Sequence, residues 1–130
     1  MSDKYTLTVT EAQLRVIQNA CEEYLRTRLG QFWQLVEDVS EAKEFGYVAG
    51  ELDERYIKRD AARVLMDGAY NLLRGPFKQK SADMLIAEDL YTQIRHYRYM
   101  ELPANQRSEW CVSFDTPIIL SSEPPAEIRR

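Results

Sequence analysis

The feature that most constrains this chain is an apolar stripe recurring at helical spacing along its first third: Leu14, Ile17, Cys21, Tyr24, Phe32, Leu35 and Val39. Steps of three and four residues keep side chains on one side of a helix and scatter them over both faces of a strand. Thr10 suits the N-cap of such a helix, because Gln13 stands three residues on in the capping-box position and Glu11 favours the positive helix end. The spacing predicts one long helix from about Glu11 to about Val39. A kink or break near Gly30 is the alternative, since an interior glycine costs about 1 kcal/mol relative to alanine.

Two more helices follow from the same reasoning. Ser40 to Leu52, with Gly46 and Gly50, reads as a loop or frayed end. A second helix starts near Asp53 and carries Ile57, Ala61, Val64, Gly68 and Leu72 along one face, widened by Leu65, Ala69 and Leu73. Gly75 and Pro76 end it, one as a cap and the other as a barrier to continuation. After a polar linker through Lys80, Ser81 caps a third helix with Asp83 in its first turn. Ile86, Leu90, Ile94 and Tyr97 make its inward face, and Pro103 stops it.

Elsewhere the period changes. Tyr5 to Val9 is β-branched and aromatic, and Trp110, Val112 and Phe114 alternate with Cys111, Ser113 and Asp115. Both read as strands, the second limited by Pro117 with a short apolar extension over Ile118 to Leu120. The expected fold class is therefore mainly α: about three helices, one of them a long N-terminal helix, with a small β element formed by the chain ends. Residues 1–120 read as a single helical domain. Residues 121–130 read as a polar, proline-containing tail, lying along the surface or disordered.

Lys and Arg number 17 against 21 Asp and Glu, a net charge of -4. That balance argues against a general nucleic-acid binder, which carries a basic face, and is too mild for DNA mimicry. No stretch approaches the roughly 18–20 apolar residues of a membrane span. The opening MSDKYTLTV lacks a positive-then-apolar layout, and Cys21 and Cys111 lie far apart. A cytoplasmic protein with reduced cysteines is expected.

Catalytic templates fail. His96 is the one histidine, and no CxxC, HExxH, GxSxG, GxxxxGK[ST] or GxGxxG pattern occurs. The acidic pairs Glu22/Glu23 and Glu37/Asp38 diverge around a helix instead of converging. The reading is a binding protein that is not an enzyme and uses no cofactor or metal.

Three features ask for an explanation. Arg28 occupies the apolar stripe where a leucine belongs; it snorkels, pairs internally with a carboxylate such as Glu88 or Asp89, or meets an anionic ligand. The run Leu90 to Met100 interleaves Tyr91, Tyr97 and Tyr99 with Arg95, His96 and Arg98. Tyr91, Arg95 and Arg98 share one helical side, and aromatics beside arginines suit a nucleotide pocket, a protein interface or plain packing. Arg55, Arg59 and Arg63 recur every four residues, as a solvated mixed-charge face does.

The segment TEAQLRVIQNACEEYLRTRLGQF resembles the first helix of a group of small bacteriophage and prophage accessory proteins, through Thr10, Gln13, Ala20, Tyr24, Arg26, Gly30, Gln31 and Phe32. The run from Leu90 to His96 is similar to the group's second recurrent segment, which ends in Ile-Arg-His. The likeness covers the chain ends and leaves residues 40–80 unaligned. It implies a phage origin and action in the host cytoplasm, with no shared activity. By analogy with phage proteins of this size, the expectation is an anti-defence homo-oligomer that sequesters an anionic, cyclic nucleotide-type immune signal without turnover. Arg26, Arg28, Gln31, Tyr91, Arg95 and His96 are the candidate ligand-binding residues. The alternatives are a protein-interaction module that inhibits a host defence protein, and a virion structural component.

Overall fold

The computed structural model describes residues 3–41, 52–73 and 79–130, without side chains at 39–41 and 52–56. The expected loop after Ser40 and the Gly75-Pro76 stop fall largely outside the described residues, as do the side chains of Val39 and Arg55. Among the described residues there are four α-helices, α1 (Glu11–Arg28), α2 (Phe32–Glu41), α3 (Leu52–Leu73) and α4 (Ala82–Met100), and a 3-10 turn at Ala104–Gln106. None of the described helices is long and apolar enough to cross a membrane. The chain divides into two compact units, one of residues 1–22 with 85–130 and one of residues 23–84.

In the first unit, α1 opens on a reciprocal capping box. The Thr10 N–H donates to Gln13 Oε1 at 2.8 Å, and the Gln13 N–H donates to Thr10 Oγ1 at 3.2 Å. Two orphan donors of the first turn are thereby satisfied. Arg98 joins α4 to α1, its Nη2 2.9 Å from Glu11 Oε1 and its Nη1 donating to Gln18 Oε1 at 2.7 Å. The buried positions of α4 here are Ala87, Asp89 and Ile94.

Asp89 is the polar anchor of this unit, 4% exposed. Its carboxylate accepts the Leu120 N–H at 2.8 Å, the Ser121 N–H at 3.0 Å and the Ser121 hydroxyl at 2.5 Å. Burial pushes this carboxyl's pKa up, but the Ser121 hydroxyl and the N–H groups of Leu120 and Ser121 outweigh it and hold it below the usual range. Further on, the Ala126 N–H donates to Gln93 Oε1 at 2.6 Å, and Arg130 pairs with Glu101 at 2.8 Å. The proline-containing tail is thus fastened to α4 at Asp89 and Gln93, and to Glu101 just past the helix end.

The expected strands are absent among the described residues. Tyr5 to Val9 is irregular backbone with no ladder partner, and residues 109–115 curl into turns. The Cys111 N–H donates to the Ser108 carbonyl and the Phe114 N–H to the Cys111 carbonyl, at 3.2 and 2.9 Å. Three-residue closures of this kind draw the backbone out of extension, so the apolar alternation over Trp110 to Asp115 serves no sheet face.

The long N-terminal helix is also corrected. It ends at Arg28, Gly30 adopts φ 78°, and α2 begins at Phe32. The Gln31 N–H donates to the Arg26 carbonyl and the Gly30 N–H to the Thr27 carbonyl, the bond pair of a Schellman cap. Glycine is the residue that enters this left-handed conformation without a Cβ penalty. The break at Gly30 raises the helix count from three to four.

In the second unit, α2 packs on α3. Val36 is buried, and on α3 the half-buried positions are Arg59, Ala62 and Ala69. Glu37 of α2 receives Arg63 at 3.3 Å and Arg59 at 3.7 Å. The expected solvated arginine face is therefore, for these two residues, a bridge between helices. The apolar face expected on α3 points the other way: Ile57, Val64, Leu65 and Leu72 are all exposed. Ser81 caps α4 as its position predicts, its Oγ accepting the Met84 N–H at 3.3 Å.

Candidate functional site

The six candidate residues divide equally between the two units. Arg26, Arg28 and Gln31 lie in the second. Arg26 is in the last turn of α1, where a cation opposes the negative helix end, and its Nη1 donates to Gln31 Oε1 at 2.9 Å. That bond spans the Schellman cap, so both side chains contribute to the turn itself. Arg28 is exposed with its guanidinium over the Tyr24 ring, 5.1 Å from the centroid. The buried line of α1 runs through Leu25 instead of Tyr24 and Arg28. The interrupted stripe thus has a geometric reason: Arg28 stands on the rim, its stem free to lie along the aromatic ring.

Tyr91, Arg95 and His96 lie in the first unit, on consecutive turns of α4. The Arg95 guanidinium stacks over Tyr91 at 5.0 Å from the ring centroid, and its Nη1 donates to the Tyr91 hydroxyl at 3.3 Å. The four-residue spacing on one helical face sets that contact. Arg95 is half-buried, its Nε is shielded from solvent without an acceptor, and no carboxylate among the described residues pairs with it. A guanidinium so placed keeps unused donors in a plane that suits carboxylate or phosphate.

His96 Nδ1 lies 3.0 Å from the Ser113 carbonyl. A carbonyl only accepts, so in this contact Nδ1 carries the proton and donates. The same turn sets Tyr99, of the interleaved run, beside Ser108, Cys111 and Ser113, which no spacing in the sequence pointed to. The Tyr99 hydroxyl accepts the Ser108 N–H at 2.6 Å and faces the Ser108 carbonyl at 3.2 Å. The Cys111 thiol is held below its ordinary range by the Ser113 N–H first, then by the hydroxyls of Ser113 and Tyr99 and the charge of Arg95. Cys111 was expected in a strand, and only the fold of residues 108–113 back against α4 places it here.

The end of α4 and the turn at 108–113 therefore gather the Arg95 guanidinium, the Cys111 thiol and the hydroxyls of Tyr99 and Ser113, with Arg95 supplying the positive charge. Such a surface favours negative charge. A separate open hollow of about 480 Å³ beside the first turns of α1 is lined by Val9, Ala12, Gln13, Arg15, Val16 and Ile17. Its wall is mostly apolar and includes none of the six candidates. Compared with protein-family models, with curated proteins and with solved structures, the chain finds no match.

Proposed function

We propose that this protein is a non-catalytic binding protein that captures a phosphate-bearing small molecule on the surface built by Tyr91, Arg95 and the 108–113 turn. The observation that carries this reading is the state of Arg95, half-buried, stacked on Tyr91 and without a carboxylate partner among the described residues. A partly desolvated guanidinium is costly unless an acceptor completes it, and phosphate completes it with paired, charge-assisted hydrogen bonds. Tyr91 adds an aromatic surface suited to a base, which narrows the ligand to a nucleotide type. The likeness to phage accessory proteins narrows it further, to a cyclic nucleotide immune signal removed from solution without turnover. Arg28 on Tyr24 offers a second cation–π pair of the same kind, while Arg26 and Gln31 shape the cap beside it.

A thermal-shift panel of linear and cyclic nucleotides, with inorganic phosphate alongside, tests the reading. A ligand at about a hundred times its Kd stabilises the folded chain by roughly 2.7 kcal/mol, a shift of several degrees for a protein of this size. Arg95→Ala abolishes that shift while the unliganded melting temperature holds. A panel with no response, or an Arg95→Ala variant that responds like the parent, ends the proposal. One observation favours a second reading, an interaction module that inhibits a host defence protein: Trp110, 97% exposed in the same turn. Tryptophan dominates protein interfaces, and this reading expects a silent nucleotide panel.

A further inference from the structure

We infer that the exposed face of α3 is a self-association surface that pairs two copies of this chain. α3 carries two apolar stripes. One, around Ala62 and Ala69, lies on the side of Arg59, which reaches Glu37 of α2. The other, at steps of one to four residues from Ile57 through Ala61, Val64, Leu65 and Gly68 to Leu72, lies about 100° around the helix and faces solvent. Ile57 is 70% exposed, Val64 72%, Leu65 74% and Leu72 87%.

The area suits a second copy. At roughly 200 Å² per fully exposed aliphatic residue, these four present about 600 Å², the upper end of a patch on a lone soluble protein. It also approaches the ~800 Å² each partner buries in a standard interface, with Ala61 and the helix flanks supplying the rest. A continuous stripe on a 22-residue helix matches its own copy across a two-fold axis, the commonest symmetry of soluble oligomers.

Gly68 is the second observation. A Cβ there would meet no atom within 4 Å, so nothing inside the chain requires glycine at this position. In mid-helix it costs about 1 kcal/mol against alanine. The absence of a side chain has a use if another helix crosses at that point, because the backbones can then approach closely. Val64 and Leu72, one turn to either side, close over the crossing. This inference stands apart from the ligand reading, since α3 contributes none of the Tyr91, Arg95 or 108–113 surface.

Light scattering after size exclusion over roughly 1 to 200 µM tests it, because association follows mass action. The parent chain runs at twice the 15.2 kDa of one copy at the upper concentrations. The double variant Val64→Glu with Leu65→Glu runs as a monomer throughout. Both positions are exposed, so its helical circular dichroism is retained. Gly68→Ala separates this face from any other: it raises the dimer dissociation constant about tenfold although alanine is the better helix former. A parent chain that stays monomeric over the whole range overturns the inference. So does a double-glutamate variant that still dimerises, or a Gly68→Ala variant that dimerises as well as the parent.

Discussion

A thiol ionises more readily where donors surround its sulfur and less readily where burial strips away water. Cys111 and Cys21 stand on opposite sides of that rule. The Ser113 N–H and hydroxyl, the Tyr99 hydroxyl and the Arg95 charge pull the Cys111 pKa down, whereas burial pushes Cys21 up. At neutral pH iodoacetamide is therefore expected to alkylate Cys111 about tenfold faster than Cys21, as peptide mass spectrometry of briefly quenched samples would show. Tyr99→Phe and Arg95→Ala each narrow the gap, and equal labelling in the parent chain would contradict the donor arrangement. The arginine–tyrosine pairing was legible in sequence because Tyr91 and Arg95 are four apart on one helix. The Cys111 cluster was not, because it joins residues more than ten positions apart through a turn whose alternating side chains imitate a strand.

Helix ends were the most readable elements, since capping depends on a few adjacent residues. Thr10 with Gln13, and Ser81 before α4, are seated as their spacing requires. Thr10→Ala is expected to cost about 1 kcal/mol in urea unfolding. At Gly30 the stripe continues in register, and only the positive φ decides for a break. Gly30→Ala forces a Cβ into the left-handed region and is expected to cost about 1–2 kcal/mol, against the gain that alanine brings inside a helix. A stabilised Gly30→Ala variant would mean that α1 and α2 run on as one helix.

The tail attachment was not legible either, because Asp89 reads as one more acidic residue until Leu120 and Ser121 close on it. Its folded pKa is depressed below the ordinary 3.8, so its contribution is complete above that value and is lost as the pH falls through the folded value. Asp89→Ala leaves two backbone N–H groups without their acceptor and is expected to cost about 2–4 kcal/mol at neutral pH. The penalty shrinks in acid as the parent carboxylate is protonated. Faster proteolytic trimming of the last ten residues at neutral pH would accompany it.

At the scale of the whole molecule, the buried apolar side chains among the described residues are few: Leu25, Val36, Met84, Ala87 and Ile94. The sequence contains more apolar helical surface than those five account for, and the face expected to build a core on α3 lies outside. A helical pattern reports that a face must be covered; it does not report whether the same chain covers it. That difference is measurable as heat capacity, which tracks the apolar surface exposed on unfolding. An average chain of 130 residues unfolds with a ΔCp of about 1.6–2.0 kcal/mol/K. If α3 covers its face with a second copy, calorimetry at high concentration gives a value near that range, and dilution below the dimer dissociation constant lowers it. The Val64→Glu, Leu65→Glu variant then shows the lower value at every concentration. A ΔCp in the average range for that monomeric variant would mean that a single chain buries its apolar surface unaided, and the need for a partner on α3 would disappear.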